Sequence, residues 1–227
     1  MTFTRYAIYY TPPKGSIWGQ RASHWLGWDM EQGTHIPHPT ISNLDISGIT
    51  QTPRKYGLHA TLKPPFRLAD DMSLTELTEA CETLANGLSP VTLNGLELAR
   101  LGRFLALRTI GDETALAEFA ATCVTTLDAF RAPASDTEIA KRRAGGLTAT
   151  QDAHLLRWGY PYVLDQFKFH ITLTGKRPKT ELPAIETALR NHLVPYLPAP
   201  FEIYEIALVG EAEDGQFHMI HRYPLGG

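Results

Sequence analysis

The 227-residue sequence has no long apolar run, and no stretch approaches the roughly 18 consecutive apolar residues of a membrane helix. It also has no excess of basic residues, since 21 Lys and Arg stand against 24 Asp and Glu and the net charge is −3. Domains that coat a nucleic-acid backbone are usually strongly basic, so this balance argues against such a surface. The first ten residues lack a charged segment followed by an apolar one. We therefore expect no secretory signal, no membrane association and a cytoplasmic location.

Cysteine is scarce, and the histidines outside the main motifs lack the arrangement of a metal site. Cys81 and Cys123 fall in helix-like segments without metal-type spacing, and a disulfide between them is not needed. Two pairs of histidines are three residues apart: His35 with His38, and His218 with His221. Three residues along a strand place side chains on opposite faces, and the first pair lies in a loop with no cluster of carboxylates or cysteines around it. We predict no metal and no cofactor.

The patterns of apolar residues, caps and turns predict an α+β fold. Strands are expected at 5–10, 56–62, 91–101, 104–110, 167–174, 201–209 and 216–223. Helices are expected at 16–27, 73–87, 112–131 and 180–197. Capping boxes are expected at 73–76, where the second of these helices begins, and at 135–138 and 148–151, where two further short helices begin. Pro64 and Pro65 are expected to end the second strand. Residues 29–56 show no apolar period and are predicted to form a long loop, of the kind that binds ligands or closes over them.

The two halves of the chain show the same order of elements. Each has a strand that carries a histidine, then a helix, then a hairpin. The number of residues between His59 and Phe104 is close to the number between His170 and Phe217. This repetition predicts an internal duplication.

The two histidine strands carry the same short motif. Residues 58–62 are Leu-His-Ala-Thr-Leu and residues 169–173 are Phe-His-Ile-Thr-Leu. Alternate side chains of a strand share a face. His59, Thr61 and Lys63 are therefore expected on one face of the first strand, opposite its apolar residues. By the same alternation, Lys168, His170 and Thr172 are expected together on the second strand. A third His-x-Thr, at 38–40, is flanked by prolines that exclude a central strand, and we treat it as a coincidence.

These residue types suit phosphodiester cleavage without a metal. Water attack needs a base, and the leaving oxygen needs an acid; histidine, with a reference pKa near 6.5, supplies either role. Threonine hydroxyls two residues along can donate to non-bridging phosphate oxygens, and lysines can stabilise the charge that develops there. The competing interpretation is two strand histidines satisfied by local hydrogen bonds. The repetition of the motif favours a catalytic pair.

Three stretches resemble the 2H phosphoesterase superfamily, which includes cyclic nucleotide phosphodiesterases and RNA-ligase-like proteins. They are 56–66 (YGLHATLKPPF), 157–163 (RWGYPYV) and 169–175 (FHITLTG), and they look most like the subgroup associated with bacterial phosphonate-metabolism operons. The resemblance implies that His59 and His170 are catalytic and that Thr61 and Thr172 bind phosphate. It also implies one domain over 1–227 with two pseudo-symmetric lobes around a cleft. Each lobe would be an antiparallel sheet with helices outside, the first motif near 57–63 and the second near 168–174.

Several assignments remain open from the sequence. Lys63 and Lys168 are expected to bind phosphate, Arg54 is a further candidate for substrate contact, and Trp28 suits either a core or a ligand-stacking role. The favoured function is hydrolysis of a small cyclic phosphodiester, either a cyclic nucleotide or a cyclic ribose phosphate. The alternatives are an RNA end-processing enzyme acting on 2′,5′ or 2′,3′ linkages, which the acidic net charge disfavours, and a non-catalytic nucleotide-binding module. The sequence specifies neither which histidine is the acid nor the oligomeric state.

Overall fold

The computed structural model describes residues 2–227, which form eleven β-strands and seven α-helices. The strands are β1 (Arg5–Tyr10), β2 (Trp28–Asp29), β3 (Thr34–His35), β4 (Ala60–Phe66), β5 (Val91–Leu93), β6 (Gly95–Leu101), β7 (Phe104–Ile110), β8 (Ile171–Thr172), β9 (Phe201–Ile203), β10 (Glu205–Glu211) and β11 (Phe217–Pro224). The helices are α1 (Ile17–Leu26), α2 (Ile46–Arg54), α3 (Leu74–Asn86), α4 (Thr114–Thr126), α5 (Asp136–Arg143), α6 (Ala149–Trp158) and α7 (Leu182–Leu193). None of the helices in this described part of the chain is long and apolar enough to cross a membrane.

The two histidine motifs lie in two different antiparallel sheets. The first sheet has the order β11-β10-β1-β4, and the second has the order β6-β7-β8. The strands that follow His59 and His170, β4 and β8, are each an edge strand of their sheet. A short antiparallel pair, β5 with β9, joins the two halves of the chain.

The order of elements confirms the predicted duplicated α+β fold. After β4 the chain forms α3, the short strand β5 and the hairpin β6-β7. After β8 it forms α7, the short strand β9 and the hairpin β10-β11. Helix α3 packs on β10 and β11, and α7 packs on β7, so each lobe is an antiparallel sheet with a helix against it.

The apolar faces of both sheets meet the helices in one continuous core. Its fully buried members come from every part of the chain and include Trp25, Leu77, Leu105, Phe169 and Leu208. Burial of an aliphatic or aromatic side chain of this kind stabilises the fold by about 1.5–3 kcal/mol. Trp18 and Trp25, which are seven residues apart on one face of α1, both lie in this core.

The three predicted capping boxes are confirmed. Capping boxes are present at Ser73, Ser135 and Thr148, where each side chain accepts from the backbone three residues on and the residue there reaches back to the cap. Gly27 ends α1 in the left-handed conformation, with φ of 85°. A residue with a Cβ is strained at that angle, which explains the glycine.

The predicted long loop over 29–56 is wrong, because this segment contains α2. Asp45 caps the helix by accepting from the amide of Gly48, and Ile46, Ile49, Thr50 and Pro53 are buried at helical spacing. The apolar period is short and includes a threonine and a proline, so it was not evident from hydropathy. The helix is held to neighbouring segments by the amides of Gly175 and Phe217, which donate to the carbonyls of Ile49 and Lys55.

Several strand boundaries also differ from the prediction. β4 includes Pro64 and Pro65 and does not end before them, because an edge strand tolerates residues without an amide donor. The strand expected over 167–174 pairs with β7 only at Ile171 and Thr172. The strand expected over 91–101 is divided at Asn94 into β5 and β6, which pair with different partners.

Candidate functional site

A cleft between the two lobes contains both histidines. It consists of two adjoining cavities of about 390 and 510 Å³. The first is lined by His59 and the second by His170. Four residues line both cavities and so form the surface common to the two halves: Thr61, Pro64, Phe104 and Tyr160.

His59 is held at the start of β4 by its own backbone and by a tyrosine. Its Nδ1 lies 3.0 Å from the carbonyl oxygen of Gly57. A carbonyl only accepts, so Nδ1 carries the hydrogen and Nε2 of the neutral ring is the basic nitrogen. The imidazole stacks on the ring of Tyr9, with centroids 3.9 Å apart. Gly57 has a φ of 66°, which turns the chain so that its carbonyl can meet the ring two residues on.

His170 repeats this arrangement in the second lobe. Its Nδ1 lies 2.8 Å from the carbonyl oxygen of Lys168, again two residues back. The flanking residues Phe169 and Ile171 are buried, so the histidine faces the opposite side of the strand. The indole of Trp25 donates to the carbonyl of Leu173, 2.9 Å away, and this bond ties the motif to α1.

The electrostatic surroundings favour the neutral form of His59. Burial lowers the pKa of His59 to about 4, and the nearby His170 lowers it further, while the bond to the Gly57 carbonyl acts in the opposite direction. A buried imidazole loses the hydration that stabilises its charged form. At neutral pH the ring of His59 is therefore uncharged, and its Nε2 is free to accept a proton.

Both predicted threonines lie in the cleft. Thr61 and Thr172 line the cavity that contains His59, and both are partly accessible. Thr61 lies opposite Tyr9 in the register of β4 with β1. Directly opposed residues of an antiparallel pair project from the same face, which accounts for the position of Thr61 beside the stacked pair of rings.

Lys63 does not lie in the cleft, although alternation places it on the face of His59. The register of β4 against β1 shifts by one residue between Thr61, which is opposite Tyr9, and Lys63, which is opposite Ile8. This bulge at Leu62 turns Lys63 toward the core. Its ammonium donates to the carbonyl of Val124 at 3.0 Å and lies 3.5 Å from the carboxylate of Asp128. Burial lowers the pKa of Lys63 to about 8, and Asp128 opposes that shift.

Of the three remaining predicted site residues, one lines the cleft and two do not. Lys168 is exposed and lines the cavity that contains His170. Arg54 lines neither cavity: its guanidinium donates to the carbonyls of Leu26 and Ser47 and so joins α2 to α1. Trp28 is buried beside the first sheet, where its indole donates to the carbonyl of Phe217 at 2.9 Å. The structure thus places Trp28 in the core.

The structure adds cleft residues that the motifs did not indicate. They are Tyr9, Phe104, Arg142, Tyr160 and Lys176. Tyr9 was within a predicted strand, and Arg142 follows the capping box of a predicted short helix, but neither pattern shows which surface a side chain faces. For Lys176 the sequence carries one signal, its place directly after the second motif.

Known structures match the chain along its whole length, with low identity. A structure described as that of a phosphoesterase has 15% identity, a TM-score of 0.42 and complete coverage of both chains. A structure of E. coli LigT complexed with NADP+ has 14% identity and a TM-score of 0.44, again with complete coverage of both.

Two curated relatives share more sequence with the chain. Both are named ribose 1,5-bisphosphate phosphokinase PhnN, one from Janthinobacterium sp. (strain Marseille) and one from Laribacter hongkongensis (strain HLHK9). The first is 35% identical over 100% of this chain and 52% of its own length, and the second is 33% identical over 93% and 49%. The chain therefore spans about half the length of the curated relatives it matches.

A family model described as "Protein of unknown function (DUF1045)" matches residues 61–218. The matched segment begins at Thr61 of the first motif and contains all of the second. It covers well over half of the chain, and the chain therefore belongs to this family.

Proposed function

We propose that the chain is a metal-independent phosphodiesterase of the 2H kind, which opens a small cyclic phosphodiester. One observation carries the proposal: two His-x-Thr motifs from different sheets line one cleft, and each imidazole is fixed by the carbonyl two residues before it. With Nδ1 engaged in this way, Nε2 of each ring is the nitrogen available for proton transfer. Two such groups around one phosphorus supply the base and the acid of an in-line displacement.

The different surroundings of the two histidines support different roles for them. His59, whose pKa is lowered by burial, is the base: its Nε2 takes a proton from water as the water oxygen bonds to phosphorus. His170 is the acid: its Nε2–H gives a proton to the ribose oxygen as the bond from phosphorus to that oxygen breaks. The products are a phosphate monoester and a free hydroxyl. The protons on the two rings then re-equilibrate through solvent, which restores the starting state.

The threonines and one lysine act on the phosphate itself. The hydroxyls of Thr61 and Thr172 donate to the two non-bridging oxygens, whose charge grows as the water attacks. The ammonium of Lys168, beside His170, adds a positive charge at the same group. The donors are in place before the reaction, because Thr172 is held in β8 and Thr61 in β4.

The name of the curated relatives favours a ribose phosphate among the cyclic substrates. Those proteins are named for ribose 1,5-bisphosphate. Opening a 1,2-cyclic phosphate of ribose 5-phosphate at the bond from phosphorus to O2 yields that compound. The relatives are about twice as long as this chain, so we assign the phosphokinase chemistry of their name to none of the residues described above. A 2′,3′-cyclic nucleotide has the same reacting group and is the second substrate class.

A substrate screen tests the proposal. EDTA-treated protein is assayed with cyclic ribose phosphates, 2′,3′-cyclic nucleotides and 3′,5′-cyclic nucleotides, and products are identified by phosphorus NMR. We expect turnover that survives chelation and a single product isomer, because the acid reaches only one ester oxygen. His59→Ala and His170→Ala are assayed beside His221→Ala, which changes an exposed histidine of β11 outside the cleft.

The same screen separates the two alternatives. Salt-sensitive preference for RNA oligomers over mononucleotides identifies an RNA end-processing enzyme. Binding of phosphate esters without turnover on any substrate identifies a binding module. Equal turnover by the wild type and both histidine variants refutes the two-histidine mechanism.

A further inference from the structure

One end of the cleft carries positive charge that the proposed chemistry does not use. Arg142 and Lys176 both line the cavity that contains His59. Among residues 2–227, neither makes an ion pair with a carboxylate. Arg5 also lines the cavity, but the edge of its guanidinium formed by Nε and Nη2 is bound by the carboxylate of Glu211. The cavity is thus lined by two unpaired positive side chains, although the net charge of the whole chain is −3.

The position of Arg142 is fixed by packing. Its guanidinium lies over the ring of Tyr160, 4.6 Å from the centroid, and Tyr160 lines both halves of the cleft. An arginine that is stacked on an aromatic ring loses less freedom when it binds an anion, and its planar fork suits two phosphate oxygens. Arg142 is half-buried, whereas the next residue, Arg143, is exposed and paired with Asp152.

A buried hydroxyl lies at the same cavity. Tyr9 is fully buried and lines the cavity, with its ring against His59. Its hydroxyl has no hydrogen-bond partner within the described chain. Burying a hydroxyl without a partner is unfavourable, and such groups in native proteins usually have a partner, either protein, water or ligand. An acceptor oxygen bound in the cavity would satisfy it.

We propose that Tyr9, Arg142 and Lys176 form a subsite for a second phosphate, a phosphomonoester carried by the same substrate as the cyclic phosphodiester. This inference rests on the proposed function and narrows its substrate class to cyclic phosphates that bear a further phosphate. The cyclic group binds between the histidines and threonines. The phosphomonoester, which is a dianion at neutral pH, is bound by the two cations and accepts from the tyrosine hydroxyl.

Substrate pairs that differ only in this phosphate test the proposal. The first pair is ribose 1,2-cyclic phosphate with and without a 5-phosphate, and the second is adenosine 2′,3′-cyclic phosphate with and without a 5′-phosphate. The wild type is expected to prefer the phosphorylated member. Arg142→Ala is expected to reduce this preference in kcat/KM by roughly 10- to 100-fold, the effect of losing a charge-assisted hydrogen bond. Lys176→Ala and Tyr9→Phe are expected to reduce it by roughly 3- to 10-fold each.

Matched controls come from neighbouring side chains of the same type. Arg143→Ala removes the adjacent arginine of α5, and Lys179→Ala removes an exposed lysine three residues after Lys176. Both are expected to leave the preference unchanged. A preference that Arg142→Ala does not reduce, or that Arg143→Ala reduces equally, overturns the subsite.

A binding measurement separates failure of the subsite from failure of the proposed function. Ribose 5-phosphate, which has a phosphomonoester and no cyclic group, is titrated calorimetrically into the wild type and the arginine variants at fixed ionic strength. Weaker binding by Arg142→Ala than by Arg143→Ala supports the subsite even if no cyclic phosphate is turned over, in which case only the catalytic proposal fails. Turnover together with equal binding by all variants removes the subsite and leaves the catalytic proposal standing.

Discussion

The two histidine motifs have nearly the same sequence but lie in different surroundings. The first precedes and enters β4, a seven-residue strand of a four-stranded sheet, and His59 stacks on Tyr9. The second overlaps β8, which has only two residues, and His170 has the exposed Lys168 beside it. The local bond is the same in both, from Nδ1 to the carbonyl two residues back.

This difference is the basis of the two roles proposed for the histidines. A fixed tautomer presents Nε2 to the cleft in each lobe, and that part follows from the motif itself. The protonation of the ring depends on burial, which the rest of the lobe provides. Pairs of titratable groups with different environments are the usual source of separate acid and base roles.

The largest expected effect comes from removing each histidine. His59→Gln and His170→Gln should each lower kcat/KM by about 10²–10⁴-fold, the contribution of a positioned acid or base. The two variants should differ in pH dependence: the residual activity of His59→Gln should lose the fall on the acid side that protonation of His59 causes, and that of His170→Gln should keep it. His221→Gln is the control. Identical pH profiles for the two variants would contradict the assignment of roles.

The second prediction concerns how the stability of the fold depends on pH. Because burial holds the pKa of folded His59 at about 4, below the unfolded value near 6.5, the unfolded chain takes up the proton first as the pH falls. The contribution of His59 to the free energy of unfolding should be fully present above pH 6.5. The free energy of unfolding should then fall by up to about 3 kcal/mol as the pH is lowered from 6.5 to 4. Urea denaturation at several pH values measures this. His59→Gln should show a shallower pH dependence, while His221→Gln should follow the wild type.

The threonines should behave alike, in contrast to the histidines. Thr61→Val and Thr172→Val remove a hydroxyl that donates to phosphate while keeping the shape of the side chain. Each should lower kcat/KM by about 10-fold, since one hydrogen bond to a charged group is lost. Thr→Ser at either position keeps the hydroxyl and should restore most of the activity. A loss confined to one position would indicate that only one motif contacts the phosphate.

The smallest expected effects distinguish the two lysines. Lys168→Met should lower kcat/KM by about 3- to 10-fold, because one exposed charge near the phosphate is removed. Lys63→Met should leave kcat/KM unchanged and shift the free energy of unfolding by about 1 kcal/mol or less, since Asp128 keeps Arg131 as a partner. Steady-state kinetics with urea denaturation measures both. A larger kinetic effect at Lys63 would mean that the bulge does not remove it from the site.

Lys63 illustrates why part of the site could not be predicted. Strict alternation along residues 59–63 predicts that Thr61 and Lys63 both lie on the same face of the strand as His59. The prediction is correct for Thr61 and wrong for Lys63. One extra residue at Leu62 reverses the face on which Lys63 lies. The cause is the pairing with β1, which is about fifty residues earlier in the chain. No local pattern indicates where a strand bulges against a partner so far away.

The segment over 29–56 shows the opposite error, a structured region that was predicted as a loop. The single turn of apolar spacing in α2 was too short to stand out beside its glycine and proline. Its stability comes from contacts such as that of Ile49 with Gly175, which belongs to the second motif. Short helices depend on packing more than on intrinsic propensity, so the contact decides the structure.

The sequence by itself determined the features that depend on residues a few positions apart. These are the α+β order of elements, its duplication, the three capping boxes and the two His-x-Thr motifs with their buried apolar sides. The tertiary structure alone decided which face Lys63 takes and that the ring of His59 stacks on Tyr9. It also decided that Tyr9, Arg142 and Lys176 line the cavity that contains His59. The physical reason is that register, burial and charge are set by segments far apart in the chain, which come together only when the two lobes pack.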